Sequence, residues 1–311
     1  MKWIITISAI LLFALAGCGK DKQSTNELIT VDVTVSYPKK ELILQDFMDV
    51  EYIPLETKDD FICQGLVIAI GKDIILARNR IRDGDIFIYD RKTGKGLKKI
   101  NREGQGGEEY TFIQRIVLDE KQNEIFVLYH FSRKISVYDL DGNFKRRLKR
   151  GDELYFFHLY NFNQTSLITN NYWVTDKPAF TIISKQDGTT KQIQIPFKEK
   201  ISMAVNYSDK AKDIYYNVIP DNYNPIIPYF DCWVLVEQSS DTVYKYQSDH
   251  KMIPIIARTP SVQSMNPEVF LFLGILTNRY YFMETVKKEY NFETHEGFPT
   301  TDLLYDKQEK A

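Results

Sequence analysis

IFIYDRKTGKGL at residues 86–97 and ISVYDLDGNF at residues 135–144 are two versions of one pattern. Each has a short apolar run, a Tyr-Asp pair, a turn containing glycine, and a second run. The pairs Tyr89-Asp90 and Tyr138-Asp139 lie 49 residues apart. Degraded copies follow at residues 180–189, at residues 241–246 and at residues 303–308. A period in the forties built of four short strands is the sequence mark of a propeller blade. Within each copy the apolar run is the third strand, the Asp-Gly or Gly-Lys pair turns a hairpin, and the next run is the fourth strand.

Outward from the two clearest copies, the rest of each blade is legible. Apolar runs at residues 66–70 and 74–77 precede the first copy, and runs at 112–118 and 125–129 precede the second. Several short strands at regular spacing with turn signals between them indicate an all-β architecture. Four-stranded blades are therefore expected near residues 62–100 and 112–149. Abundant aromatics, 20 Tyr and 19 Phe, suit the same pleated surfaces. Residues 196–230 carry Pro196, Pro220, Pro225 and Pro228 and are expected to leave the blade pattern as an irregular excursion.

The N-terminus is an address. Lys2 is followed by an almost unbroken apolar run at residues 4–16, too short to span a bilayer, which needs about 20 residues. It has the length of a signal-peptide core. The run closes on Leu15-Ala16-Gly17-Cys18, which resembles the lipobox of bacterial lipoproteins. That resemblance implies acylation of Cys18 after removal of residues 1–17, and a membrane as partner through the acyl chains. Residues 18–48 then read as the lipidated N-terminus and a flexible tether, and 49–311 as the propeller domain. The expected location is the cell envelope.

Three further segments resemble the six-bladed β-propeller lipoproteins of Bacteroidota, which look like distant relatives of the NHL-repeat propellers. Val-Glu-Tyr-Ile-Pro-Leu-Glu-Thr at 50–57 is similar to the family's opening strand, and Asn-Arg-Glu-Gly-Gln-Gly-Gly-Glu-Glu-Tyr at 101–110 to its glycine-rich segment. Asp-Thr-Val-Tyr at 241–244 resembles its later Asp-Thr-Ile-Tyr strand. Gly107 and Glu108 depart from the family's usual proline and glycine. The resemblance implies six blades, yet the fifth Tyr-Asp copy lies just before Ala311, so about five blades are expected in a shortened member. Residues 50–55 are the natural closing strand, because an unclosed ring exposes sheet edges. With about five blades the ring is expected to be gapped, or closed by strained pairing of residues 50–55 with strands near 279–306.

The 101–110 segment could cradle a phosphate, place catalytic carboxylates or turn the chain. Its glycines lack the spacing of either nucleotide fingerprint and no helix follows. Glu108 and Glu109 are adjacent and would point to opposite faces of an extended chain. An inter-blade connection is the reading that fits, with Gln105, Glu109 and Tyr110 near a channel mouth where a ligand could bind. Arg115, mid-strand and sharing a face with Ile113 and Val117, is the other candidate binding residue if that strand is innermost.

No catalytic or metal set assembles, and no cofactor is implied. Residues 139–143 mimic a calcium loop, but its twelfth position is Arg150. His295-Glu296 starts like a zincin helix, but the second histidine position is Pro299. His130, His158, His250 and His295 are scattered. A formal charge of −2 supplies no basic field for nucleic acid. The aromatic clusters at 155–160, at Tyr215-Tyr216 and at 223–230 read mainly as blade packing, with a glycan platform as the alternative for exposed rings. Cys63 and Cys232, on blades one and four by this count, are expected to be unpaired. The function that emerges is a membrane-anchored binding or scaffold propeller for a glycan, peptide or protein partner. The alternative is a polysaccharide hydrolase or lyase with its site at the channel.

Overall fold

The computed structural model describes residues 28–310 apart from 44, 46–47, 81–82, 130–133, 150–155 and 172–178. The lipobox cysteine Cys18, His130 and Tyr155 lie outside the described residues. After β1 (Ile29–Asp32), four strands build blade one: β2 (Leu66–Ile70), β3 (Ile74–Arg78), β4 (Ile86–Asp90) and β5 (Gly96–Ile100). Blade two is β6 (Ile113–Asp119), β7 (Glu124–Tyr129), β8 (Lys134–Asp139) and β9 (Phe144–Lys149). Blade three is β10 (Phe156–Asn161), β11 (Ser166–Asn171), β12 (Phe180–Ser184) and β13 (Thr190–Ile193). A separate hairpin follows, β14 (Val205–Asp209) with β15 (Ile214–Val218).

Blade four is β16 (Ile226–Tyr229), β17 (Cys232–Leu235), β18 (Thr242–Gln247) and β19 (Met252–Thr259). The last sheet is β20 (Val269–Leu276), β21 (Tyr280–Lys287) and β24 (Thr300–Asp306), with a small hairpin of β22 (Tyr290–Asn291) and β23 (Glu296–Gly297) inserted before its third strand. This is the expected all-β propeller, with the two clearest blades where the repeat places them. First strands are innermost: β2 meets β6, β6 meets β10, and β16 meets β20.

The Tyr-Asp pair explains itself. Tyr89 and Tyr138 are both fully buried, Tyr138 between blades one and two and Tyr89 on the outer face of blade one. The aspartate after each closes the hairpin turn: Asp90 Oδ1 accepts from Thr93 N at 2.8 Å, and Asp139 Oδ1 from Asn143 N at 2.8 Å. Blades then pack face to face. In β7, Ile125 and Val127 face blade one with Leu76 and Ile88, while Phe126 and Leu128 face blade three with Leu159 and Leu167. A sheet covered on both faces reads as continuous apolar sequence rather than alternation. Polar closure supports the packing at the other end of the strands. Buried Lys185 donates to Asp119 at 2.5 Å, Asn161 at 2.6 Å and the carbonyl of Asn163 at 2.5 Å, tying blade three to blade two.

Two N-terminal expectations are corrected. Residues 29–32, placed in the tether, form β1, which adds in parallel to the outer edge of blade four with Ile29 opposite Ile256 and Asp32 opposite Thr259. Alternate burial of Ile29 and Val31 against that blade supplies the reason. The expected closing strand, residues 50–55, pairs with no strand among the described residues. Ile53 and Leu55 lie instead, with Phe61 and Cys63, over the back face of blade one formed by Ile75, Ala77, Phe87 and Tyr89. Pro54 has no N–H to give a ladder, and its carbonyl passes so near Gly94 that a β-carbon there would come within 1.9 Å. Glu56 N donates to the Gly94 carbonyl at 2.8 Å and its carboxylate accepts from Gly96 N at 2.8 Å, fixing this strap. Cys63 and Cys232 are both free thiols, as expected.

Two outcomes test these contacts. Lys185→Met should destabilise the domain by about 3–5 kcal/mol in urea denaturation, because it strands the buried Asp119 carboxylate. In the last sheet, Arg279 grips Asp306 through Nε and Nη2 at 2.6–3.0 Å and lowers its pKa from 3.8 to about 2. A depressed carboxylate pKa stabilises above the unfolded value and loses that effect as pH falls through the folded one. The stability difference between wild type and Asp306→Asn should therefore be constant above about pH 5, shrink progressively below it and vanish only near about pH 1, below both pKa values.

Candidate functional site

Inner strands all run the same way, so second-to-third strand loops and inter-blade connections collect at one end of the ring. That end holds loops 79–85 and 236–241 and connections 101–112, 194–225 and 260–268. Three cavities open there, each of about 10 Å³, enough for a single water. One lies between blades one and two beside Arg78 and Glu103, one between blades three and four beside Asn170 and Lys200, and one between blades four and five beside Arg258.

Connection 101–112 is a folded turn, as the inter-blade reading expects. Gly104 N donates to the Tyr110 carbonyl at 2.9 Å and Tyr110 N to that of Arg102 at 3.0 Å. Glu109 turns its carboxylate inward to Gly106 N at 2.7 Å, and a β-carbon on Gly104 would meet that carboxylate at 1.9 Å. Tyr110 is fully buried, its hydroxyl donating to the Gly84 carbonyl at 2.8 Å and accepting from Arg102 N at 3.0 Å. Burial pushes its phenol well above the ordinary range. Tyr110 and Glu109 thus hold the loop together, and Gln105 alone of the three is exposed.

Arg115 does sit on an innermost strand, but its neighbours differ from the expected ones. A bulge between Ile113 and Arg115 makes Gln114 an extra residue. Ile113 consequently packs toward blade one and Val117 toward blade three. Arg115 keeps the phase of Val117 and is exposed. Its charge helps lower the pKa of Arg78, after burial, and that of His158, again after burial. Arg78 reaches across from blade one to donate to the Ile113 carbonyl at 3.0 Å. His158, on β10, faces Asn170 Oδ1 at 3.1 Å and stacks on Tyr160 with centroids 6.2 Å apart. Three successive blades therefore bring two guanidinium groups and an imidazole to one side of the channel mouth.

Blade four adds groups that the sequence alone did not indicate. Glu237 is buried and receives Lys200 Nζ at 2.7 Å and Ser239 N at 3.2 Å. Tyr223 donates to the Val236 carbonyl at 2.6 Å, lies 2.9 Å from Gln238 Oε1, and packs its ring on Phe272. Arg258 is 8 % exposed; Nη2 meets the Met265 thioether at 3.2 Å, and Nη1 lies 3.5 Å from Asp241. Burial lowers its pKa against the opposing pull of Asp241. The available sequence signal was the polar run Glu237-Gln238-Ser239-Ser240 just before the Asp-Thr-Val-Tyr strand.

Four-stranded blades packed face to face, with Arg78, Arg115, Glu237 and Arg258 gathered at the loop end, define a β-propeller with a polar loop face. Residues 19–311 match the 6-bladed beta-propeller family DUF5128, and the chain belongs to that family. Among solved structures it is similar to a Bacteroides fragilis protein described as exported, at 14% identity and TM-score 0.58, over 92% of this chain and 79% of that one. It is also similar to a member of the duf4221 family from Bacteroides vulgatus, at 12% identity and TM-score 0.50, over 82% of each chain. No curated protein matches.

The Tyr110 hydroxyl gives this face a direct test. Tyr110→Phe leaves a buried carbonyl and a backbone N–H without their partner, and should cost about 1–3 kcal/mol in thermal or urea denaturation. Gln105→Ala, at an exposed position, should change stability by less than about 0.5 kcal/mol.

Proposed function

We propose that this protein is a lipid-anchored binding protein of the cell envelope, holding a glycan, peptide or protein ligand on the loop face of its propeller. The observation that carries the reading is the meeting of Arg78, Arg115 and His158 at the channel mouth. Like charges held together cost stability, and such a cost is retained where a partner of opposite polarity is to be met. The neighbouring blade boundary adds Glu237, Lys200 and Arg258 at the same end. Because propellers host many functions, the argument rests on these side chains and not on the fold. The address rests on Leu15-Ala16-Gly17-Cys18 and agrees with the exported Bacteroides fragilis neighbour.

The soluble domain, begun after Cys18, should retain ligands from a combined glycan and peptide array. Arg115→Ala should weaken an anionic hit at least tenfold, which is about 1.4 kcal/mol, without lowering the melting temperature. Array hits indifferent to every loop-face substitution would move the site elsewhere. For the anchor, the full-length chain should partition into the detergent phase and incorporate labelled palmitate, and Cys18→Ser should do neither.

A further inference from the structure

The excursion between blades three and four is more ordered than its prolines suggest. Strands β14 and β15 pair Tyr207 with Tyr216, Asn206 with Asn217 and Ser208 with Tyr215. Directly opposed residues share a face, so this hairpin has two different sides. One side is fixed: Tyr207 and Tyr216 stack with centroids 6.2 Å apart, and both contact Phe292, at 5.2 and 6.0 Å. Phe292 lies in the turn of the β22–β23 hairpin, which itself rises from the loop end of the last sheet. Two insertions thus brace each other through aromatic rings.

The opposite side carries Asn206, Ser208, Tyr215 and Asn217, all exposed and uncharged. Tyr215 donates its hydroxyl to Asn206 Oδ1 at 3.1 Å, diagonally across the two strands. Diagonal positions are about 7–8 Å apart, so the ring must lie along the hairpin instead of standing away from it. It remains 67% exposed. Asn217 Nδ2 donates to the same Asn206 oxygen at 2.7 Å. The Asn206 amide group and the Asn217 carbonyl are left as a donor and an acceptor beside a flat, open ring.

We propose that this side of the β14–β15 hairpin is a subsite for a neutral glycan. A pyranose offers a flat C–H face ringed by hydroxyls that both donate and accept. The Tyr215 ring complements that face, and the Asn206 and Asn217 amides complement the hydroxyls. These four side chains carry no formal charge, so they offer an anionic or cationic partner no ion pair. The braced opposite side keeps the ring in place before binding, so little ordering is needed on association. This inference rests on the loop face being the ligand face, and names the ligand class for one part of it.

The test titrates the soluble domain calorimetrically with neutral hexasaccharides of β-1,4-glucose, β-1,4-xylose, β-1,4-mannose and α-1,4-glucose, with polygalacturonate fragments and a peptide array alongside. At least one neutral oligosaccharide should bind. Tyr215→Ala should weaken it at least tenfold, Asn217→Ala should weaken it measurably, and Tyr215→Phe should keep most of the affinity because the ring remains. Melting temperatures should not change, since the ring is largely exposed. Neutral glycan binding that survives Tyr215→Ala overturns the subsite while leaving the loop face as a binding surface. Binding confined to acidic fragments and lost in Arg115→Ala, or to peptides, overturns the ligand class and spares the broader reading. Absence of binding to every probe overturns both.

Discussion

Every blade here is apolar on both of its faces, and a sheet of that kind persists in water only if each face is covered. Between neighbouring blades the cover is another blade: Phe126 and Leu128 against Leu159, or Ile182 against Ile226 and Leu235. At the ends of the row the same demand falls on chain that is not a blade. Residues 53–63 lie over Phe87 and Tyr89, while Ile201, Met203 and Val262 lie over Phe270 and Phe272. The strap and the inter-blade excursion are thus part of the core. The strap is pinned where Glu56 N donates to the Gly94 carbonyl and the Glu56 carboxylate accepts from Gly96 N, and the excursion where Ile201 N donates to Ser239 Oγ.

Polar chemistry is concentrated where this apolar packing stops. Strand ends at the loop face bring Asn170, Glu237 and Arg258 into positions screened by neighbouring blades but not filled by aliphatic side chains. Each buried charge there is answered from a different stretch of sequence, Glu237 by Lys200 and Arg258 by Asp241. The opposite end has its own buried pair in Lys185 and Asp119, but Lys185 there makes three hydrogen bonds and closes a structural joint. Arg258 is less well served: among the described residues Nε has no hydrogen-bond partner, Nη2 meets the Met265 thioether at 3.2 Å, and Asp241 stands 3.5 Å from Nη1. That contrast separates a joint from a site more clearly than burial alone does.

What could be read from the chain follows from the range of the interactions involved. The Tyr-Asp repeat was visible because its parts act within one hairpin: Asp90 and Asp139 bind backbone only a few residues away. Tyr110 was noticed for the right segment and the wrong reason, since its hydroxyl serves Gly84 across a blade boundary. The bulge at Gln114 could not be foreseen, and it alone moved Ile113 to the other face from Val117. Strand β1 is four residues long and has meaning only beside β19, more than two hundred positions away. Glu237 and Lys200 are likewise partners brought together by the ring. Local turn chemistry was legible; long-range complementarity was not.

The direction of β1 has a consequence for how the molecule stands. Fourth strands such as β19 run toward the loop face, and β1 runs parallel to β19. The chain therefore arrives at Ile29 from the far end of the ring, and at its perimeter. A lipid on Cys18 would hold the protein by a leash that, fully extended to Ile29, reaches no more than about 40 Å. The bilayer would lie beneath the end with the tight hairpin turns, and the loop face would look outward, away from the headgroups. Tethered in that way at its rim, the propeller would be free to tilt and to sweep the loop face over the space above the membrane.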